Sequence, residues 1–129
     1  MKKILLLLVV LILSISPSCP NREIHFKNVF NQYVHGQLNV PLNEMIDIES
    51  DTFAIDVEFA PKWATSIGHS LYAAEKLNKK AGILLITYKD YDGKYVDMLT
   101  SVAYKYDITV WTIDYYHNTW KKINIHKCN

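Results

Sequence analysis

The chain has 129 residues, half of them hydrophobic, with 14 lysines and arginines against 13 aspartates and glutamates. That length holds one core rather than several domains, and that apolar content excludes an intrinsically disordered chain. Balanced charge gives no bulk support for nucleic-acid binding, which a local patch such as Lys76, Lys79 and Lys80 would have to supply.

The chain opens MKKILLLLVVLILSISPSC: two lysines, an apolar run from Ile4 to Leu13, then small residues at Ser14, Ser16 and Ser18. A bilayer-spanning helix needs about 20 apolar residues, so this shorter run reads as a secretory signal peptide over 1–18, with an uncleaved anchor as the alternative. Cleavage after Ser18 would leave one domain over 19–129, exported to a periplasm or secreted, with no stable membrane span. Without Lys2 and Lys3, 12 basic residues face 13 acidic ones, and the net charge falls near −1.

Cys19 would then lead the mature chain, and it either carries lipid or pairs with Cys128 in an oxidising compartment. Ser16-Pro17-Ser18 lacks the large aliphatic residue usual three positions before a lipid-modified cysteine. A bridge across so long a loop would contribute roughly 3 to 5 kcal/mol.

From Asn21 to about Gly36, apolar residues at Ile24, Phe26, Val29, Phe30, Tyr33 and Val34 recur every three to four positions and predict an amphipathic helix. Three short strands follow, around Leu38 to Leu42, around Met45 to Ile48, and over Phe53 to Phe59, the last two joined by a tight turn at Ser50-Asp51. Pro61 suits the first turn of a second helix running to about Asn78, with Trp63, Ile67, Leu71 and Ala74 as its core face. AGILLIT is apolar without alternation, as in a strand covered on both faces. A less regular helical stretch from Tyr91 to about Tyr106 leads to the core strand ITVWTID, and Lys121 to Ile125 offers an extra edge strand. This order of helix, three-stranded meander, helix, strand, helix, strand predicts an α/β sandwich around a mixed sheet flanked by helices.

In Phe53 to Phe59, alternation puts Phe53, Ile55, Val57 and Phe59 on one face and Ala54, Asp56 and Glu58 on the other. With the turn at Ser50-Asp51, Asp47 lies opposite Ala54, and Asp56 is its diagonal neighbour at about 7 to 8 Å. Asp47, Asp56 and Glu58 then share a small area. Either a divalent cation with oxygen ligands holds them together or this face is simply wet. On the second helix Lys62, His69 and Lys76 form one polar stripe with Thr65 and Tyr72 beside it, which in isolation is only a solvated face.

The run IDIESDTFAIDVEFAPKWATSIGHSLYAA through LITYKDY resembles the PD-(D/E)XK nuclease superfamily, the restriction-endonuclease-like fold. It looks most like small bacterial members whose helix carries a glutamine-x-x-tyrosine pattern. The resemblance spans roughly Glu23 to Asp114 and is strongest from Ala54 to Tyr72. It implies a Mg-dependent nuclease, with Mn as a substitute, in which Asp47 and Asp56 bind metal with the Val57 carbonyl as a further ligand. Glu23 matches an additional glutamate of the family, and His69 and Tyr72 fall on the helix pattern. The lysine expected two residues after the second acid is Glu58 here, and Lys62 would serve as a migrated catalytic lysine. Phosphodiester hydrolysis needs a metal to activate water and a cation near the developing charge, so Asp47, Asp56 and Glu58 would serve the first need and Lys62 the second.

The alternative is a catalytically degenerate nuclease-fold protein acting as an exported binding or interaction module. Glu58 in the lysine position and the absence of net positive charge favour it. Glycine-rich phosphate loops, paired CxxC motifs and Gly-x-Ser-x-Gly elbows do not occur in the sequence, and His25, His35, His117 and His126 have no metal-ligand spacing.

Overall fold

A computed structural model describes residues 22–38, 46–88 and 91–125. The expected leader over 1–18, the alternatives at Cys19 and Cys128, and most of the strand expected over 38–42 lie outside the described residues. Among those described, no helix is long and apolar enough to cross a membrane.

Helix α1 (Arg22–Val34) leads into β1 (Gln37–Leu38), β2 (Ile48–Glu49) and β3 (Phe53–Phe59). A 3-10 turn at Ala60–Lys62 then opens α2 (Trp63–Leu77), followed by β4 (Lys80–Thr87), α3 (Gly93–Ala103), β5 (Thr109–Asp114) and β6 (Trp120–Lys122). The strands form one six-stranded mixed sheet in sequence order, with β3–β4 and β4–β5 parallel and the other pairs antiparallel. The α/β class and the element order are those the sequence predicts; the second strand forms at Ile48–Glu49 rather than around Met45 to Ile48, and the late edge strand at Trp120–Lys122 rather than Lys121 to Ile125.

Each parallel pair needs a helical crossover, and crossovers of one hand moving across a sheet in one direction stack on the same face. Accordingly α2 and α3 share a face, where Ala74, Leu99 and Ala103 pack on Ala81, Ile83, Leu85 and Val110. Helix α1 covers the opposite face, with Phe26 and Phe30 buried on Ile55, Val57, Leu84, Ile86, Trp111 and Ile113. Burying each of those two phenylalanines is worth about 1.5 to 3 kcal/mol. The alternate residues of β4 therefore feed two cores, and its central six residues are buried, as the unbroken apolar run predicts.

Two glycines are required by close approach. A Cβ on Gly36 would stand 2.7 Å from Ile48 Cγ2 and 2.8 Å from the Glu49 carbonyl, where β1 begins beside β2. One on Gly82 would stand 2.9 Å from the ring of Trp111, which occupies the space that this residue leaves.

The hairpin differs from expectation by one residue. Ile48 pairs with Ile55 and Glu49 with Ala54, so the turn residues are Asp51-Thr52 rather than Ser50-Asp51. Ser50 sets this register: its N–H donates to the Phe53 carbonyl at 2.9 Å and its Oγ accepts the Phe53 N–H at 2.9 Å. Moving the turn by one residue changes the pairing by two positions, so the paired residues Ile48 and Glu49 keep their faces. Asp47 precedes the first paired residue, Ile48, and does not lie opposite Ala54, whose partner is Glu49.

The core face of α2 also differs. Ser66, Ser70, Ala73 and Ala74 are its buried residues, while Trp63, Ile67 and Leu71 are only partly buried beside the cluster that α3 closes. Small side chains let the helix axis lie close to β3 and β4, so the large apolar ones fill the flank. Asn78 ends α2 in the left-handed region at φ 52°, its N–H reaching back to the carbonyls of Ala74 and Glu75.

Candidate acid site

Strand β3 and helix α2 bring Asp56 under a roof of serine and histidine. Asp56 points to the α2 face, 5% exposed, and Ser66 and His69 stand one turn apart on the helix above it. His69 Nδ1 lies 3.3 Å from Asp56 Oδ1. Asp56 Oδ2 and Ser66 Oγ are both buried and neither completes a hydrogen bond of normal geometry, though the nearby hydroxyl still favours the ionised carboxyl.

Burial dominates the titration of Asp56 and lifts its pKa to about 6; Ser66 opposes the rise, the Asp47 charge adds to it, and His69 opposes it. A carboxyl paired with an imidazole and titrating near 6 can hold or exchange a proton close to neutral pH.

Asp47 is held differently. Its N–H donates to the Ile55 carbonyl at 3.1 Å, a bulge-like departure from the ladder, since Ile55 is already the register partner of Ile48. Asp47 Oδ2 accepts the Val57 N–H at 2.7 Å, replacing a backbone acceptor. Its Oδ1 lies 2.5 Å from the Lys27 ammonium, which is also 2.6 Å from Glu23 Oε1. Burial works against the Lys27 charge, but hydrogen bonds and attraction from Asp47 and Glu23 outweigh it and raise its pKa above the usual lysine value.

Glu58 Oε1 accepts the neighbouring Phe59 N–H at 3.0 Å. The Lys62 ammonium stands 3.9 Å from the same oxygen, and the lysine side chain is 68% exposed. Tyr72 is exposed, with the Lys76 ammonium 5.6 Å from its ring centroid. Of the sequence-derived candidates, Glu23 and Asp47 meet through Lys27, Asp56 meets His69, and Glu58 meets Lys62. Thus the candidates fall into three local groups. Val57 enters through its N–H, bonded to Asp47.

A divalent cation fits this arrangement poorly. Both Asp47 oxygens are engaged, the cationic place beside Asp47 is taken by Lys27, and among the described residues the buried side-chain oxygens without a partner are Asp56 Oδ2 and Ser66 Oγ. Among the described residues, no three His, Cys, Asp or Glu side chains are grouped to hold a metal.

Lys27 and Ser66 are the residues that sequence reasoning missed. The Glu23–Lys27 spacing of four announces a helix pair. Reach from Lys27 to Asp47 depends on how α1 crosses the sheet, which no local pattern encodes. For Ser66, the usable signal was the spacing Ser66-Ser70-Ala73, a stripe of small residues marking close helix–sheet contact.

Comparison with protein families, with curated proteins and with solved structures finds no match to this chain.

Proposed function

We propose that the chain is a binding module built on a restriction-endonuclease-like scaffold, in which the acid corner of a PD-(D/E)XK nuclease serves the fold rather than hydrolysis. The observation that carries this reading is the Lys27 ammonium, 2.5 Å from Asp47 and 2.6 Å from Glu23, where a metal-dependent hydrolase would need a divalent ion. An ammonium there neutralises the acids without polarising a phosphoryl oxygen or activating water. Support also comes from Lys62, whose ammonium stands 3.9 Å from Glu58 and whose exposure leaves it little held for transition-state work. The element order, with a meander followed by two helix-linked parallel strands, agrees with the fold that the sequence resemblance implies.

The test is hydrolysis of DNA and RNA in Mg²⁺ and in Mn²⁺, beside the Asp56→Ala protein. Equal background from both proteins and melting temperatures unmoved by either metal are expected. Degradation that Asp56→Ala abolishes would overturn the proposal.

One observation favours the other reading, a Mg-dependent nuclease with Asp47 and Asp56 as ligands and Lys62 as the helper cation. Asp56 Oδ2 is a buried acceptor without a partner, the kind of atom that a metal satisfies. In that case Mn²⁺ should raise the melting temperature of the wild-type chain and leave that of Asp56→Ala unchanged.

A further inference from the structure

At the amino ends of the parallel strands, on the face that α1 covers, a groove of about 460 Å³ crosses the sheet from the β2–β3 turn to β6. That volume is in the range of small-molecule sites. Tyr33 and Val34 at the end of α1 form one wall, and Phe53 of β3 and Trp111 of β5 form the floor. Asp51 and Lys122 line opposite ends. Three strand spacings separate β3 from β6, so the backbones that carry these two charges are roughly 14 Å apart.

The walls are held in place. The His35 N–H donates to the Asn31 carbonyl at 2.8 Å and the Gly36 N–H to Asn31 Oδ1 at 3.0 Å, which closes α1. The Tyr33 ring is backed by that of Trp120 at 3.9 Å between centroids, yet the residue is 51% exposed. Ser50, bonded to Phe53 at both its N–H and its Oγ, fixes the turn opposite. A groove formed before its ligand arrives loses little freedom on binding.

Trp111 is the residue that points to a ligand. It is 3% exposed, with the Cζ3 and Cη2 end of its ring against Gly82. Its indole N–H, in the other ring, has no oxygen or nitrogen acceptor among the described residues. Nor is it sealed from solvent, since the sealed side-chain atoms without a partner are Asp56 Oδ2 and Ser66 Oγ. A nearly buried donor left open to a groove is a place for an acceptor. Lys122 is the direct cross-strand partner of Trp111, with Cβ atoms about 4.5 to 5.5 Å apart. It is exposed and makes no ion pair among the described residues. Thus a neutral N–H and an uncompensated ammonium enter one groove from neighbouring positions.

Charge sets the polarity of the occupant. On the same face Lys80 is the register partner of Phe53 and adds a second exposed cation. Lys79 is held by Glu49 at 2.9 Å. Asp107 borders a separate groove that Lys122 also lines, without pairing with it. The β5–β6 end therefore receives an anion. The other end holds Asp51 and the last carbonyls of α1, the negative end of a helix, and receives a hydrogen-bond donor. Between them the rings of Tyr33, Phe53 and Trp111 offer faces and edges to a further ring.

We infer that this groove binds a small aromatic carboxylate. The carboxylate accepts from the Trp111 indole N–H and pairs with the Lys122 ammonium, the ring lies among Tyr33, Phe53 and Trp111, and a ring hydroxyl points toward Asp51. The site uses none of Asp47, Asp56 or Lys27, so a nuclease activity would neither require nor remove it.

The test titrates the full chain with 4-hydroxyphenylacetate, with tyramine, which has the same ring and an ammonium in place of the carboxylate, and with acetate. Proton–nitrogen NMR follows the Trp111 indole N–H. A saturable shift is expected with 4-hydroxyphenylacetate, and binding at least about 10-fold weaker with the other two. Lys122→Met, at a site too exposed to endanger folding, is expected to weaken binding by about 3- to 10-fold, the range for one polar contact. Lys121→Met, which removes the neighbouring lysine from the opposite face of β6, should leave it unchanged. The inference is overturned if 4-hydroxyphenylacetate does not move this resonance at millimolar concentration, if tyramine or acetate binds as tightly, or if Lys122→Met binds as wild type.

Discussion

The Lys27 ammonium and the Asp47 carboxylate, 20 positions apart in the sequence, meet at 2.5 Å and tie α1 to the residue before β2. Asp47 in turn takes the Val57 N–H, so one carboxylate links the helix, the edge of the hairpin and the centre of β3. Replacing Lys27 by methionine leaves Asp47 half-buried and unpaired. A fully buried broken pair costs 3 to 5 kcal/mol, and partial solvent access reduces this to about 1 to 2 kcal/mol. Denaturant unfolding of Lys27→Met, Asp47→Asn and the double variant measures the coupling, and the double variant should be less destabilised than the two single effects added.

The raised pKa of Lys27 gives that pair a pH signature. A lysine whose folded pKa exceeds its unfolded value contributes stability that is complete below the ordinary lysine pKa of 10.5 and disappears as pH rises through the folded value. Wild type should therefore lose stability above about pH 10.5 more steeply than Lys27→Met, which lacks the titrating group. Parallel melts of the two proteins across the alkaline range check this, and coincident curves would show that the pair contributes nothing.

Asp56 has the opposite character, because its ionised form is what burial penalises. Its folded pKa of about 6 exceeds the ordinary 3.8, so the folded state binds the extra proton between those values. Stability assigned to this group is complete below pH 3.8 and lost as pH rises through about 6. A shift of roughly two units corresponds to about 3 kcal/mol. Asp56→Asn keeps the shape without the charge. It should be more stable than wild type at pH 8 and lose most of that advantage at pH 4, as read by denaturant unfolding at both values.

His69 opposes the rise in the Asp56 pKa, as it stands 3.3 Å from the carboxyl. Removing it in His69→Ala should push the Asp56 pKa above 6. His69→Gln, which keeps a hydrogen-bonding group without a titrating one, should fall between wild type and His69→Ala. Carboxyl carbon NMR titration of Asp56 reads all three directly. A pKa unchanged in His69→Ala would mean that the pair has no electrostatic consequence.

Local pattern carried the elements further than it carried their contacts. The period of Phe26 and Phe30, the apolar run of β4 and the proline before α2 each report a local preference, and the corresponding elements form. The hairpin register hinged on whether Ser50 sits inside the turn or before it, and the deciding interaction is a side-chain hydrogen bond from Phe53 N–H to Ser50 Oγ. On α2 the largest apolar residues suggested a core face through Trp63, Ile67 and Leu71, whereas distance to the sheet selected Ser66, Ser70 and Ala73. At the acid site, Asp56 and His69 were legible as neighbours in a strand–helix unit. Lys27 at Asp47 was not, because it depends on the path of α1 across the opposite side of the sheet.

Gly82 offers a test of the α1-side core. Its hydrogen faces the Trp111 ring and the Ile55 side chain, with a built Cβ only 2.9 Å and 3.0 Å from them. Neither neighbour yields easily: the Trp111 ring is itself set edge-on against Phe30 at 5.3 Å and Phe53 at 5.1 Å, and Ile55 is fully buried. Gly82→Ala should therefore cost about 1 to 3 kcal/mol through overpacking, despite placing a better-ordered residue in a central strand. Trimming the ring in Gly82→Ala/Trp111→Phe relieves the clash, so the double variant should be more stable than the sum of the single effects. Thermal or denaturant unfolding of the three proteins measures that coupling, and strict additivity would mean that the strand moves away from the ring instead.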